Sequence, residues 1–545
     1  MLFRVALIAS LSLPVLAQDG STGANWPHHM GSQQAWRHSS LNQVTTANVK
    51  KLTPAWVFQT GDYEGGLQAT PIVVDGVLYL STSRNRVFAI NAATGQEIWR
   101  YVFPLPRAFQ TFYGPWNRGV AVAMGMVFLG TLDNHVVALD QKTGKELWRT
   151  NVEDANQCGC NITAAPLIAK DKVIVGVTGG DSAHRGYITA FDARTGRFAW
   201  RFWTIPGPGE PGNETWSGDS WKYGGGFSWM TGSFDPSLNL IYWSVGNPAA
   251  DFYGGSRKGD NLYTDSVVAL DADSGKLKWY YQQIPHDVWD FDTAYENILL
   301  DLPVKGQQRK LLVNVNKGGF TWVLDRTNGQ FLKAYPIVKN YNWISGVDES
   351  GKLVGRNEPE VGKMKTLCPS IGGGRSWNQA AYSPMTKLLY TTAIEWCQDV
   401  TAQEEKPQQG KVFFGGTFQA KNPANEKAHG HLDALDPVTG QVKWSYKYKY
   451  PLLASILSTA GGLIFTGDPE GFFFALDTTS GKKLWQFQTG SGNRGSPITY
   501  SVNGRQYIAT PTGFGSALAG LMPQVWPETE NMRGGSSLFV FALPE

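Results

Sequence analysis

Charge is scarce in this sequence: Asp, Glu, Lys and Arg make up 17% of it and nearly cancel, leaving a formal net charge of +3. No basic tract with interleaved aromatics occurs, so a nucleic-acid partner is not indicated. Histidine and cysteine are also rare, at eight and four residues. The histidines form no zinc-ligand spacing, and no Cys-x-x-Cys-His occurs, so covalent haem is not signalled. Beyond the N-terminus no apolar run is long enough to cross a bilayer. Helix-period apolar segments of useful length are missing as well, which argues against a two-domain α/β enzyme.

What the sequence does have is glycine (62 residues) and aromatics (13%, with 21 tryptophans). That profile implies many turns around a rigid aromatic interior, as in all-β proteins. The first residues, "MLFRVALIASLSLPVLAQDG", place Arg4 ahead of an apolar run and small residues ahead of a cut after Ala17. They read as a secretory signal peptide over 1–17, leaving a mature chain of 18–545 in one domain. Export to a periplasm follows for a Gram-negative source, and an exported chain can hold disulfides.

A repeat runs through the mature chain: "AINAATGQEIW", "ALDQKTGKELW", "AFDARTGRFAW", "ALDADSGKLKW", "ALDPVTGQVKW" and "ALDTTSGKKLW", with "VLDRTNGQFLK" as a copy lacking tryptophan. Its glycines are Gly95, Gly144, Gly196, Gly275, Gly329, Gly440 and Gly481. The spacing is mostly that of a four-stranded propeller blade, roughly 40–50 residues. Each copy reads as a strand entering a tight turn, with glycine at a positive φ, and then a tryptophan that packs on a neighbouring unit. The long interval between Gly329 and Gly440 has room for two blades, and "AAYSPMTKLLY" within it looks like a degenerate copy. The expected fold is therefore an all-β, eight-bladed β-propeller with tryptophan docking repeats.

A propeller alone does not define an activity, but one stretch stands out. In "HDVWDFD", residues 286–292, three carboxylates fall among Trp289 and Phe291. On an extended strand Asp290 and Asp292 would share a face. Two like charges side by side imply either a wet loop or a cation between them.

From Asn25 to its end the chain resembles the quinoprotein alcohol dehydrogenases, which bind pyrroloquinoline quinone (PQQ) and a metal. The stretches that carry the resemblance include "NQVTTANVKKLTPAW", "GDNLYTDSVVALDADSGKLKW", "PHDVWDFD", "NKGGFTWVLDRTNG" and "CPSIGGG". The resemblance implies that Asp290 is the catalytic base taking the hydroxyl proton of an alcohol while hydride leaves for the quinone. Asp292 resembles the extra aspartate of lanthanide-using members, where calcium-type members carry a small uncharged residue; a trivalent ion is hard and favours added anionic oxygens. Asn247 in "SVGNPAADF" matches the amide metal ligand. Asp181 in "GVTGGDSAHRGY" stands where the family has glutamate, one methylene shorter.

The same resemblance implies that Trp229 stacks on the quinone, that Lys317 contacts its oxygens, and that Arg118, Thr163 and Thr178 hold its carboxylates and carbonyls. Gln68 stands where glutamate is common. Trp377 matches a pocket residue, preceded by Ser376 rather than asparagine. Phe112 and Tyr113 occupy the places of two adjacent cysteines that lie over PQQ in most alcohol-oxidising members, and form a candidate aromatic lid. Cys368 and Cys397 match a family disulfide; Cys158 and Cys160 are open to a local bridge. Asp287 receives no role beyond the loop.

The implied activity is oxidation of a small alcohol with PQQ and a lanthanide ion, Ca2+ being the alternative metal. The implied electron acceptor is a c-type cytochrome or another periplasmic carrier. A sugar, polyol or aldehyde substrate is the second reading, and a non-catalytic scaffold of outer-membrane assembly the third. The oligomeric state is left open, a homodimer included.

Overall fold

The computed structural model describes residues 20–545 except 107, 108, 110 and 112, so the signal peptide and Phe112 lie outside the described residues. Eight antiparallel sheets carry four strands in meander order, one of them with an added N-terminal strand, His38–Ser39, on its edge. The first five span Ile72–Val102, Ala121–Asn151, Leu167–Trp203, Ser233–Gln282 and Asn297–Pro336. The sixth is built from Ala381–Ser383, Leu388–Glu395, His429–Leu435 and Val442–Tyr448, and the seventh spans Leu457–Gln488. The eighth joins Ile498–Val502, Arg505–Thr512 and Ser537–Ala542 to Thr53–Gln59 from near the N-terminus. Pairing Thr53–Gln59 with the last strand in one sheet closes the ring and leaves only short, protected blade edges.

The count of eight agrees with the repeat, but the position of one blade does not. "AAYSPMTKLLY" is the first hairpin of the sixth blade, the same blade whose third turn carries Gly440. The long interval is filled by inserted segments, among them a three-stranded sheet of Lys365–Leu367, Cys397–Ala402 and Gly416–Lys421. The remaining blade has no repeat of its own, because its fourth strand is supplied by the other end of the chain. "TPAWVFQ" carries that blade's docking tryptophan, Trp56.

The repeat's chemistry is visible at each turn. All seven repeat glycines have φ between +68° and +77°. In five of the seven copies an aspartate accepts from the Ser or Thr three residues on: Asp192 Oδ1 takes the Thr195 amide at 2.8 Å and its hydroxyl at 2.7 Å. The indole of the preceding blade lies against the glycine, and its Nε1–H donates to the carbonyl three residues before it. Trp99 so reaches Gln141 at 3.1 Å, Trp148 Ala193 at 3.2 Å and Trp444 Thr478 at 2.9 Å. A Cβ on any of these glycines would fall 2.4–2.8 Å from the ring facing it. In the copy without tryptophan, Tyr335 takes over: its ring lies against Gly440 and its hydroxyl donates to the Pro437 carbonyl at 3.0 Å.

In a four-stranded meander the first and third turns share one end of the sheet. The second turn and the crossover to the next blade share the other. The docking turns are third turns, so the second turns and crossovers are free to build a site on the opposite end of the ring.

Candidate active site

Every expected site residue lies on such a second turn or crossover. Asp181, Asn247 and Lys317 sit on the second turns of the third, fourth and fifth blades. Gln68, Arg118, Trp229, Asp290, Asp292 and Trp377 sit on segments leading into blades. Together with Thr178 they line one cavity of about 370 Å³. Thr163 is set one layer back: it is buried outside that lining, where its hydroxyl meets Thr178 Oγ1 at 2.6 Å and accepts from Arg118.

"HDVWDFD" is a loop rather than a strand. Asp287 is fully buried and organises it, accepting from the amides of Trp289 (2.8 Å) and Phe291 (2.7 Å). This role was invisible in the sequence because it depends on the loop's curl. Asp290 adopts φ +61°, a left-handed conformation that is uncommon outside glycine and turns this carboxylate away from the extended path. A cation does lie between the two acids: the Lys317 ammonium is 2.9 Å from Asp290 Oδ2 and 3.3 Å from Asp292 Oδ2. Asp292 Oδ1 accepts from the Trp229 indole at 3.1 Å and the Asn247 amide at 3.2 Å, so it ties the ring, the turn and the ammonium together.

One residue not anticipated completes the acidic end. Asp251, four residues after Asn247, converges with Asp181 and Asp290, with one carboxylate oxygen from each within 4.8 Å of the others. The Asn247 side-chain amide bridges two of them, donating to Asp181 Oδ1 (3.2 Å) and Asp251 Oδ1 (3.0 Å). Burial, reinforced by the charge of Asp292, pushes the Asp181 carboxyl up to about 6. Burial and the neighbouring acids hold Asp251 well above the usual range. Burial does the same to Asp290, opposed by Lys317. Burial would lower Lys317, but Asp290 and Asp292 outweigh it and raise it.

The other end of the cavity is cationic. Arg118 and Arg494 both pack on Trp377, with guanidinium carbons 4.7 and 3.9 Å from the ring centroid. Arg118 also lies 5.2 Å from the Trp229 ring. Neither arginine has a carboxylate partner among the described residues. Burial lowers Arg118 to about 9, and burial plus the charge of Arg118 takes Arg494 well below its usual value. Arg494 donates to the Leu453 carbonyl and to Ser376 Oγ at 3.1 Å. It was missed although "NRG" occurs twice, at 117–119 and 493–495; the second copy takes its meaning from the ring closure that brings it beside the first. Gln68 donates to the Gly515 carbonyl at 2.9 Å and leaves Oε1 without a partner.

Tyr113 and Trp116 line the cavity, and the Tyr113 hydroxyl meets Ser182 Oγ at 2.8 Å. The remaining wall is apolar: Ile371, Val412, Phe414, Phe418, Leu518 and Leu521. It comes from the inserted segments around that sheet and from Ala517–Leu521, a short helix near the C-terminus. The Cys368–Cys397 disulfide staples the inserted sheet, and Cys158–Cys160 is also bonded.

This donor set suits PQQ and a metal. Two buried guanidiniums without acids match a ligand bearing several carboxylates, flat rings flank the space, and convergent carboxylates with unpartnered oxygens match a hard cation. An eight-bladed ring with such a cavity defines the class, and the chain belongs to the PQQ family of glucose, ethanol and alcohol dehydrogenase β-propellers, whose model matches residues 26–340 and 349–508. Quinoprotein alcohol dehydrogenase PedH of Pseudomonas putida is 36% identical over 570 residues, covering 100% of this chain and 95% of that protein. Quinoprotein ethanol dehydrogenase of Pseudomonas aeruginosa is 37% identical, covering 96% and 91%. Among solved structures, a europium-containing methanol dehydrogenase superposes with a TM-score of 0.90 at 33% identity, covering 95% and 98%.

Proposed function

We propose that this protein oxidises small alcohols to aldehydes with PQQ and a bound cation in the periplasm, and passes the electrons to a separate c-type cytochrome. The observation that carries this reading is the cavity's polarity: convergent carboxylates with Asp290 and Lys317 at one end, two acid-free guanidiniums over Trp377 at the other. When bound, PQQ supplies the two-electron acceptor and the metal a Lewis acid.

Asp290 uses Oδ2 for Lys317 and leaves Oδ1 without a hydrogen-bond partner among the described residues, so Oδ1 is the atom placed to accept the hydroxyl proton. Lys317, held by Asp290 and Asp292, supplies positive charge beside the quinone oxygens. Trp229, held by its bond to Asp292, is the stacking platform. Arg118 and Arg494 hold carboxylates, with Thr178 and Gln68 as further polar contacts and Thr163 supporting Arg118 from behind. Asp181, Asp290 and Asp292 would hold the cation, with Asn247 joining through its amide oxygen once that amide turns from its bonds to Asp181 and Asp251.

The apolar wall supports an alcohol with a hydrocarbon body over a sugar or polyol, which would leave hydroxyls unpaired there. A lanthanide is the favoured metal, because the buried acids of this region outnumber its cations. Asp181, Asp251, Asp265, Asp287, Asp290 and Asp292 face Lys317 and Arg257, four more carboxylates than cations. Dye-linked alcohol oxidation after reconstitution with PQQ and either Ca2+ or La3+ tests the reading. Activity with La3+ is expected; equal activity with both ions overturns the metal preference, and failure to bind PQQ overturns the enzyme.

A further inference from the structure

We infer that Asp251 is a direct ligand of the bound cation, an inference that rests on the reading of this cavity as a metal site. Asp251 comes from the same turn as Asn247, in "VGNPAADF", and is 0% exposed. Its Oδ1 accepts the Asn247 amide, while Oδ2 has no hydrogen-bond partner among the described residues. A buried carboxylate oxygen without a partner costs several kcal/mol, roughly, unless something else satisfies it. No ammonium among the described residues does so: Lys317 is bonded to Asp290 and Asp292. Arg257, the nearest other cation in sequence, gives its hydrogen bonds to the Ala250 and Asp287 carbonyls and to Asn261.

The geometry suits one ion shared by three acids. Ligand oxygens on a large hard cation lie about 2.3–2.6 Å from it, so two of them on opposite sides stand about 5 Å apart. The oxygens of Asp181, Asp251 and Asp290 lie within 4.8 Å of one another, inside that span. The turn is also fixed from outside: the Phe252 amide donates to the Phe414 carbonyl at 2.9 Å, and Arg257 clamps the Ala250 carbonyl at 2.7 Å. Asp251 therefore does not need to move to bind. Its charge adds to those of Asp181, Asp290 and Asp292, an acid-rich shell better matched to a trivalent than to a divalent ion.

The test is calorimetric titration of the PQQ-loaded, metal-free protein with La3+, comparing the native chain with Asp251→Asn and Asp290→Asn. Asp251→Asn keeps the size and an oxygen that can still accept from the Asn247 side-chain amide, but removes the anionic ligand. A loss of La3+ affinity of tenfold or more in Asp251→Asn is expected. If the native chain binds La3+, Asp290→Asn weakens it, and Asp251→Asn binds like the native chain, Asp251 is not a ligand while the site stands. If the native chain binds no La3+, or Asp290→Asn leaves binding unchanged, the site reading itself falls. Anomalous diffraction from native crystals soaked in Tb3+ needs no variant. An ion within about 2.6 Å of an Asp251 oxygen agrees with the inference, and an ion bonded to Asp181 and Asp290 but not to Asp251 overturns it.

Discussion

Replacing Lys317 by methionine, Lys317→Met, keeps an unbranched side chain one atom shorter and removes the ammonium between Asp290 and Asp292. At 2.9 and 3.3 Å the two attractions are each worth about 5–6 kcal/mol at an effective dielectric near 20. Part of that is offset by the desolvation of an ammonium that is only 12% exposed, and removing one partner of a buried pair costs about 3–5 kcal/mol net. For a chain of 545 residues the unfolding entropy is roughly 1.1 kcal/mol per kelvin, so metal-free, PQQ-free protein should lose about 3–4 °C in Tm. The variant also leaves more uncompensated negative charge, so La3+ should stabilise it more than it stabilises the native chain and narrow the gap to about 1 °C. Differential scanning calorimetry of both proteins, with and without La3+, reads this directly. A gap that is the same with and without La3+ would refute the idea that ammonium and metal neutralise one set of carboxylates; no gap at all would refute the strength assigned to the ion pairs.

Two further outcomes concern the scaffold. Gly275→Ala adds a Cβ at φ +68° and 2.4 Å from Trp200; strain and overlap together should cost about 2–5 kcal/mol, seen as a Tm drop of roughly 2–4 °C. His431 gives the fold a pH dependence: burial would lower its pKa, but Asp433 at 2.9 Å and Glu395 at 3.3 Å prevail and raise it to about 9. A raised histidine stabilises fully below its free value of 6.5 and loses that contribution as pH rises through 9, on the order of 3 kcal/mol in all. His431→Gln should therefore flatten the fall in Tm between pH 6.5 and pH 9, and an unchanged slope would show that other groups set it.

Much of the ring was legible because docking is local chemistry. A turn that needs positive φ, an aspartate cap and a flat neighbour writes all three into a few residues, as at Asp192, Thr195 and Gly196. The eighth blade was misplaced because it is assembled from both ends of the chain, and no single stretch carries its repeat. Tyr335 shows the same limit in small: the docking ring survived where the tryptophan did not, two residues further along. At the site, Asp290, Lys317, Asn247 and Trp229 stand in recognisable motifs. Asp251 and Arg494 do not.

The sequence by itself determined the blades and their turns, since each depends on residues a few places apart; the positions of the site's acids, lysine and arginine entered only through the resemblance to the quinoprotein dehydrogenases. Only the tertiary structure decided which charges meet. Asp251 joins Asp181 and Asp290 from three different loops, Lys317 comes between Asp290 and Asp292, and Arg494 meets Arg118 over Trp377 across the closing blade. Coulomb energies fall with distance through space, not along the chain, so the sign and strength of this cavity were set when the ring closed.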